Sequence, residues 1–215
     1  MSIKKDWNIF IENKKFPYII VDNWYNSDEE KSVWKELDFY SSVPKEKIDR
    51  AESTVVAKNK DGIPLGRSFR WYLSSFYTNE GIKNSSIVNA MYKIRSEKFH
   101  KIIGEIVPWG RTFLNSNQDN TMISYYEEND HYNAHIDNFS WSQCIWFFKE
   151  PKLFKGGDFY FADTNTKIEL KHNRSLFFPS CLLHKVTPLN FNKKPAEIGY
   201  GRYTITHFYY YWPIR

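Results

Sequence analysis

Between Tyr125 and Tyr211 the chain alternates short aromatic or β-branched runs with turn-forming residues, a pattern that suits antiparallel sheet. Ile145-Trp146-Phe147-Phe148, Phe159-Tyr160-Phe161 and Ser175-Leu176-Phe177-Phe178 each read as a strand, with Pro151 and Gly156-Gly157 in the turns between them. Aromatic residues make up 19% of the sequence, enough to fill an aromatic-rich sheet and its core.

Embedded in this region is His135-Ile136-Asp137. In an extended strand residues two apart leave the same face, so the imidazole and the carboxylate project together. A second imidazole, His184, follows the strand-like Ser175 to Phe178 and can approach from another strand of the same sheet system. Two imidazoles and one carboxylate on one side of an ion form the facial triad that suits non-haem Fe(II), with positions left open for a chelating cosubstrate and O2. The plainer alternative is a half-buried histidine whose ring nitrogens are satisfied by hydrogen bonds. Downstream, Arg202 opens the strand Arg202-Tyr203-Thr204-Ile205-Thr206 and offers a planar donor fork to a carboxylate. Lys185 to Pro188 and Tyr203 to Tyr209 are expected to pair as a hairpin with Leu189 to Gly201 as its loop.

Length favours one domain spanning residues 1–215, since a chain of 215 residues buries a sizeable core without disulfides. Charged residues are 26% and hydrophobic residues 41%. A formal charge of +5 admits acidic partners, but no localised basic patch supports nucleic-acid binding. Met1 to Lys15 lacks a signal-like apolar core and no long apolar run follows, so a cytoplasmic protein without membrane attachment is expected. Cys144 and Cys181 read as buried free thiols. There is no phosphate-binding glycine loop and no Cys-x-x-Cys pair.

Towards the N-terminus, Phe16 to Val21 reads as a strand. Ser27 is the expected N-cap of a first helix, with Glu30 completing the box and Val33, Trp34 and Leu37 as its apolar stripe. A second helix is predicted from Ser85 or Ser86 to about Val107, stopped by Pro108. Both helices would back the sheets as scaffold. Between them the stretch from Ala51 to Tyr77 is less regular: Lys58 to Gly62 is a turn, followed by the basic and aromatic residues Arg67, Phe69, Arg70, Trp71 and Tyr72, a segment suited either to a substrate-contacting cover or to a solvated hairpin. His131 reads as a rim residue, and His100, His172 and His207 are not assigned to iron.

Taken in order, Tyr125, His135-Ile136-Asp137-Asn138, Cys144-Ile145-Trp146, Gly156-Gly157, Leu176-Phe177-Phe178, His184-Lys185-Val186 and Arg202 to Thr206 resemble the Fe(II)- and 2-oxoglutarate-dependent dioxygenases, in particular the prolyl 4-hydroxylase branch that includes the hypoxia-sensing enzymes. The resemblance covers residues 121 to 212. It implies a mainly β fold with supporting helices, a double-stranded β-helix of jelly-roll, cupin-like form. It also implies Fe(II) on His135, Asp137 and His184, with Arg202 on the distal carboxylate of 2-oxoglutarate. Tyr125 and Thr204 are the further cosubstrate candidates, and ascorbate is a candidate reductant. The sequence departs from the pattern in two places. Lys193 and Lys194 fall near the spacing where collagen-type enzymes place a lysine for the same carboxylate, and Phe147 stands where some relatives carry a tyrosine hydroxyl.

The implied reaction is hydroxylation of an unactivated C–H bond, at C4 of proline in a peptide or protein, with O2 consumed and succinate and CO2 released. Hydroxylation of a free amino acid or other small molecule is the alternative within the same chemistry. A non-catalytic jelly-roll binding protein is the alternative outside it, and the complete His-Asp-His set opposes it. Oligomeric state is left open.

Overall fold

The computed structural model describes residues 7–14, 16–42, 56–77, 80–106, 108–193, 195, 197 and 199–213. Strands β1 (Asn8–Glu12) and β2 (Tyr18–Asp22) precede helix α1 (Ser27–Ser42). Short strands β3 (Gly66–Arg67) and β4 (Phe69–Tyr72) come next, then helices α2 (Ser86–Met91), α3 (Glu97–Gly104) and α4 (Trp109–Leu114). The C-terminal half is all strand: β5 (Gln118–Tyr126), β6 (His131–His135), β7 (Trp141–Phe147), β8 (Phe154–Gly156), β9 (Phe159–Phe161), β10 (Thr166–Ile168), β11 (Arg174–Pro179), β12 (His184–Val186), β13 (Leu189–Phe191) and β14 (Arg202–Tyr210).

The described strands form a seven-stranded sheet in the order β1-β2-β11-β7-β14-β5-β4 and a five-stranded sheet in the order β10-β9-β12-β6-β3, with β13 and β8 as a separate pair. The named pairings are antiparallel. This is a mixed α/β fold dominated by antiparallel sheet.

Strand alternation divides the large sheet cleanly between two layers. Ile123, Tyr125, Ile145, Phe147, Phe177, Tyr203, Ile205 and Tyr209 point outward and pack with Val33, Leu37, Phe99 and Phe113 of the helices. Their sequence neighbours Tyr126, Cys144, Trp146, Leu176 and Phe178 point the other way and pack with Phe159, Phe161 and Val186 of the smaller sheet. Burial of the helical stripes against one face and of the small sheet against the other is the main stabilising term.

Three local expectations are corrected. The first helix is capped by Asn26 rather than Ser27: Asn26 Oδ1 accepts from the amides of Asp28 and Glu29 (both 3.0 Å), and Glu29 Oε2 accepts from the Asn26 amide (2.8 Å). Asparagine caps as well as serine, and Glu29 then stands at the reciprocal position of the box. The long second helix is broken at Ser96, whose extended backbone and hydroxyl, accepting from the Phe99 amide, start α3 afresh. Finally, β12 and β14 do not form a hairpin. β12 pairs with β6 and β9, whereas β14 pairs with β5 and β7, so the intervening chain crosses between sheets. No described helix is long and apolar enough to cross a membrane.

Candidate active site

His135 closes β6 and His184 opens β12, and the two are direct partners across the antiparallel pairing. That register sets two imidazoles side by side, with ring centroids 4.3 Å apart and planes tilted by 54°. Asp137 lies just past the end of β6, where its amide donates to Ser180 O (3.0 Å) and turns its carboxylate back over the rings. Asp137 Oδ1 is 3.7 Å from His135 Nε2, and Oδ2 is 3.6 Å from His184 Nε2. One ligand atom from each of the three residues lies within 4.8 Å of the others, so a single ion can be shared.

The surrounding hydrogen bonds fix which atoms face that ion. Nδ1 of His135 lies 2.8 Å from Asn133 O, and Nδ1 of His184 lies 2.8 Å from Leu182 O. A carbonyl only accepts, so both Nδ1 atoms carry the proton and both Nε2 atoms present a lone pair to the site. His135 is held neutral: burial, and then the neighbouring His184, push its pKa down to about 3. Neutral imidazole is the form that ligates metal. Asp137 Oδ2 accepts from the Ser142 hydroxyl (2.6 Å), whose oxygen lies 2.8 Å from Ser180 Oγ. Since Ser142 has one proton and gives it to the carboxylate, Ser180 must donate to Ser142. This serine relay orients the carboxylate in the way that outer hydrogen bonds orient metal ligands, and it was not singled out in the sequence.

A cavity runs from the triad between the sheets to the inner face of β14, where Arg202, Thr204 and Thr206 line it. Arg202 is 1% exposed. Its guanidinium lies 4.2 Å from the centre of the Tyr126 ring, and Nη1 donates to Gly157 O. Gly156 and Gly157 both have positive φ (69° and 66°), and a Cβ on Gly156 would stand 2.1 Å from Pro188 O, so the turn that presents this carbonyl requires glycine. Burial pushes the Arg202 pKa down. Arg202 Nε and Thr204 Oγ1 are buried without a hydrogen-bond partner among the described residues. A desolvated guanidinium beside an unpaired hydroxyl is a receptor for a carboxylate. The site residues therefore fit both a divalent ion and an acidic chelator between the ion and Arg202.

Tyr125 is placed differently from the expectation. It sits on the opposite face of β5, where its hydroxyl accepts from the amides of Gly199 (2.8 Å) and Gly201 (3.1 Å) and its ring packs on Tyr203. Tyr126, its neighbour, lines the cavity instead. The period of two along a strand makes this a one-residue choice between faces. Phe147 likewise faces outward, against Tyr25 and Trp34, so a hydroxyl there would point away from the cavity. Lys193 is exposed, and Lys194 lies outside the described residues. Of the expected free thiols, Cys144 is buried, whereas Cys181 is exposed.

The other histidines stay apart from the triad. His131 bonds Asn129 O, His172 pairs with Glu30 (2.9 Å), and His207 bonds Thr121 Oγ1 (2.8 Å). Ala51 to Val55 lie outside the described residues, but Arg67 to Trp71 is brought beside the site. β3 pairs with β6, and β4 pairs with β5, so this stretch steps from the edge of one sheet to the edge of the other.

Residues 121–210 match the family described as the 2OG-Fe(II) oxygenase superfamily. Comparison with curated protein sequences finds no match. Among solved structures, a prolyl-4-hydroxylase from Pseudomonas putida superposes with a TM-score of 0.56 at 11% identity, covering 93% of this chain and 95% of that one. The viral collagen prolyl hydroxylase of Paramecium Bursaria Chlorella virus-1, in complex with 2OG, gives 0.50 at 14% identity over 89% and 94%. An oxidoreductase of the 2OG-Fe(II) oxygenase family from Burkholderia pseudomallei gives 0.54 at 10% identity over 90% and 85%. At these identities the likeness is one of fold. Residues 121–210 thus carry the 2OG-Fe(II) oxygenase superfamily match, and the His-Asp-His donor set within that stretch supports Fe(II) and 2-oxoglutarate as cofactors.

Proposed function

We propose that the chain is a prolyl 4-hydroxylase, acting on proline within a peptide or protein. At the coarser level it carries the general hydroxylation chemistry of its superfamily, supported by the triad and the matched stretch. The finer assignment rests on one observation, the whole-chain likeness in fold to the Pseudomonas putida prolyl-4-hydroxylase. In this reading the seven- and five-stranded sheets are the two halves of a double-stranded β-helix. The chain is one domain, since residues from Ile19 to Tyr209 share a single outer core.

His135 Nε2, Asp137 and His184 Nε2 would hold the iron, while Arg202 and Thr204 would hold the distal carboxylate of 2-oxoglutarate. When bound, iron and cosubstrate together supply the oxidising power: O2 is consumed, 2-oxoglutarate yields succinate and CO2, and one oxygen atom enters a C–H bond. The protein supplies placement. Asn133 O and Leu182 O hold the imidazoles in the ligating tautomer, and Ser142 holds the carboxylate. Arg202 would neutralise the cosubstrate charge at a buried position, where its attraction is stronger than in solvent. Trp146 and Phe159 keep the cavity wall apolar. A peptide laid along the step from β3 to β4 would present one proline ring to the triad and keep neighbouring C–H bonds out of reach.

The test is incubation of the protein with Fe(II), O2, 2-oxoglutarate and a library of proline-containing peptides, read by tandem mass spectrometry and succinate release. An added oxygen localised to proline C4 supports the assignment. Efficient hydroxylation of a free amino acid with no peptide product replaces it with the small-molecule reading. Failure to form succinate with any substrate favours a binding protein.

A further inference from the structure

Tyr132 is the residue of the cavity wall in closest ring contact with an imidazole of the triad. Its ring lies on that of His135 with centroids 3.5 Å apart and planes at 17°. The Arg70 guanidinium stands 4.4 Å from the centre of the same ring. Two groups at such distances cannot share one face, so the phenol is sandwiched between imidazole and guanidinium. Its position is fixed at the edges as well. The hydroxyl accepts from the Ala57 amide (2.9 Å), and Gly66, the cross-strand partner of Tyr132, carries no side chain where the ring passes. A Cβ on Gly66 would lie 2.6 Å from Tyr132 Cδ2. Arg70 is itself braced, donating from Nε to Ser68 Oγ (3.0 Å).

The imidazole of His135 has two degrees of freedom to lose before its lone pair is aimed. The Nδ1 bond to Asn133 O sets the tautomer and pins one edge. A flat ring packed on its face restricts the remaining rotation about the Cβ–Cγ bond. We infer that Tyr132 is a positioning residue for the iron ligand His135, and that Gly66 and Arg70 hold Tyr132 in that role. This rests on His135 being an iron ligand, as proposed above. It also ties Ala57, Gly66 and Arg70, which contact Tyr132, to the geometry of the metal through one ring.

The test is anaerobic titration with Co(II) as the probe ion, reading affinity and the ligand-field absorption spectrum. Wild type, Tyr132→Phe, Tyr132→Leu, Arg70→Gln and His135→Ala are compared, with far-ultraviolet circular dichroism to establish folding. Tyr132→Phe keeps the stack and is expected to bind within about twofold of wild type with the same spectrum. Tyr132→Leu removes the flat face and is expected to weaken binding about tenfold, the usual scale for losing outer support of a ligand, with a changed spectrum. Arg70→Gln leaves the core untouched and is expected to shift the spectrum in the same direction by less. If His135→Ala abolishes binding while Tyr132→Leu and Arg70→Gln match wild type in both readouts, the positioning role is overturned and the ligand assignment stands. If His135→Ala binds like wild type, the ligand assignment itself fails. Should Tyr132→Leu not fold, the Arg70→Gln spectrum decides: an unchanged spectrum overturns the proposal.

Discussion

Asp137 Oδ2 accepts the Ser142 hydroxyl proton over 2.6 Å, and Ser142 in turn lies 2.8 Å from Ser180, the first residue past β11. The carboxylate that completes the triad is thus aimed by β7 and by the turn after β11, neither of which supplies a ligand. Ser142→Ala is expected to lower Fe(II) affinity about tenfold while leaving the fold intact. Anaerobic titration of the purified variant checks this; unchanged affinity would mean that the backbone alone sets the Asp137 rotamer.

Arg202 carries a buried charge with cavity-facing polar capacity to spare, which a carboxylate would satisfy. Arg202→Ala is expected to weaken 2-oxoglutarate binding at least about tenfold, consistent with loss of a charge-assisted pair, and to leave Fe(II) affinity within about twofold. Arg202→Lys should recover only part of the loss, because an ammonium cannot present the planar fork. Direct cosubstrate binding in the presence of Mn(II) separates the two effects. If Lys193→Ala weakens binding and Arg202→Ala does not, the collagen-type arrangement holds instead.

The pH dependence of stability has a defined sign. His207 is fully buried, and burial pushes its pKa down to about 3, below the unfolded value near 6.5. Between those values the unfolded chain binds a proton that the native chain refuses, so stability falls as pH falls from about 6.5 toward 3. Chemical denaturation of metal-free protein across this window should show the loss. His207→Gln, which cannot titrate, should reduce its slope by about one proton. An identical slope in the variant would show that His207 contributes nothing to it.

Much of the site was legible because strand periodicity and ligand chemistry pointed the same way. His135, Asp137 and His184 converge as their spacing suggested, and Arg202 does open a strand. What failed was choice of face and of partner. Tyr125 and Tyr126 are adjacent aromatic residues on a strand buried on both sides, so composition gives no signal for which one looks inward. The hairpin between β12 and β14 failed for a related reason: sequence proximity favoured it, whereas both strands found longer-range partners in different sheets. Asn26 and Ser27 each have a glutamate three residues on, so the box pattern did not separate them; in the fold Glu29 closes the box on Asn26, whereas Glu30 is engaged by His172 and Asn173. The serine relay behind Asp137 joins residues 38 positions apart and had no local signature.

The most direct measurement is anaerobic Fe(II) titration of wild type, His135→Ala, Asp137→Ala and His184→Ala, each with and without 2-oxoglutarate. One equivalent of Fe(II) bound by wild type, tighter when 2-oxoglutarate is present, and sharply weakened binding in all three folded variants is the expected result. One tight Fe(II) site that survives unchanged in the His135 and His184 variants would contradict the assignment of this triad as the metal centre.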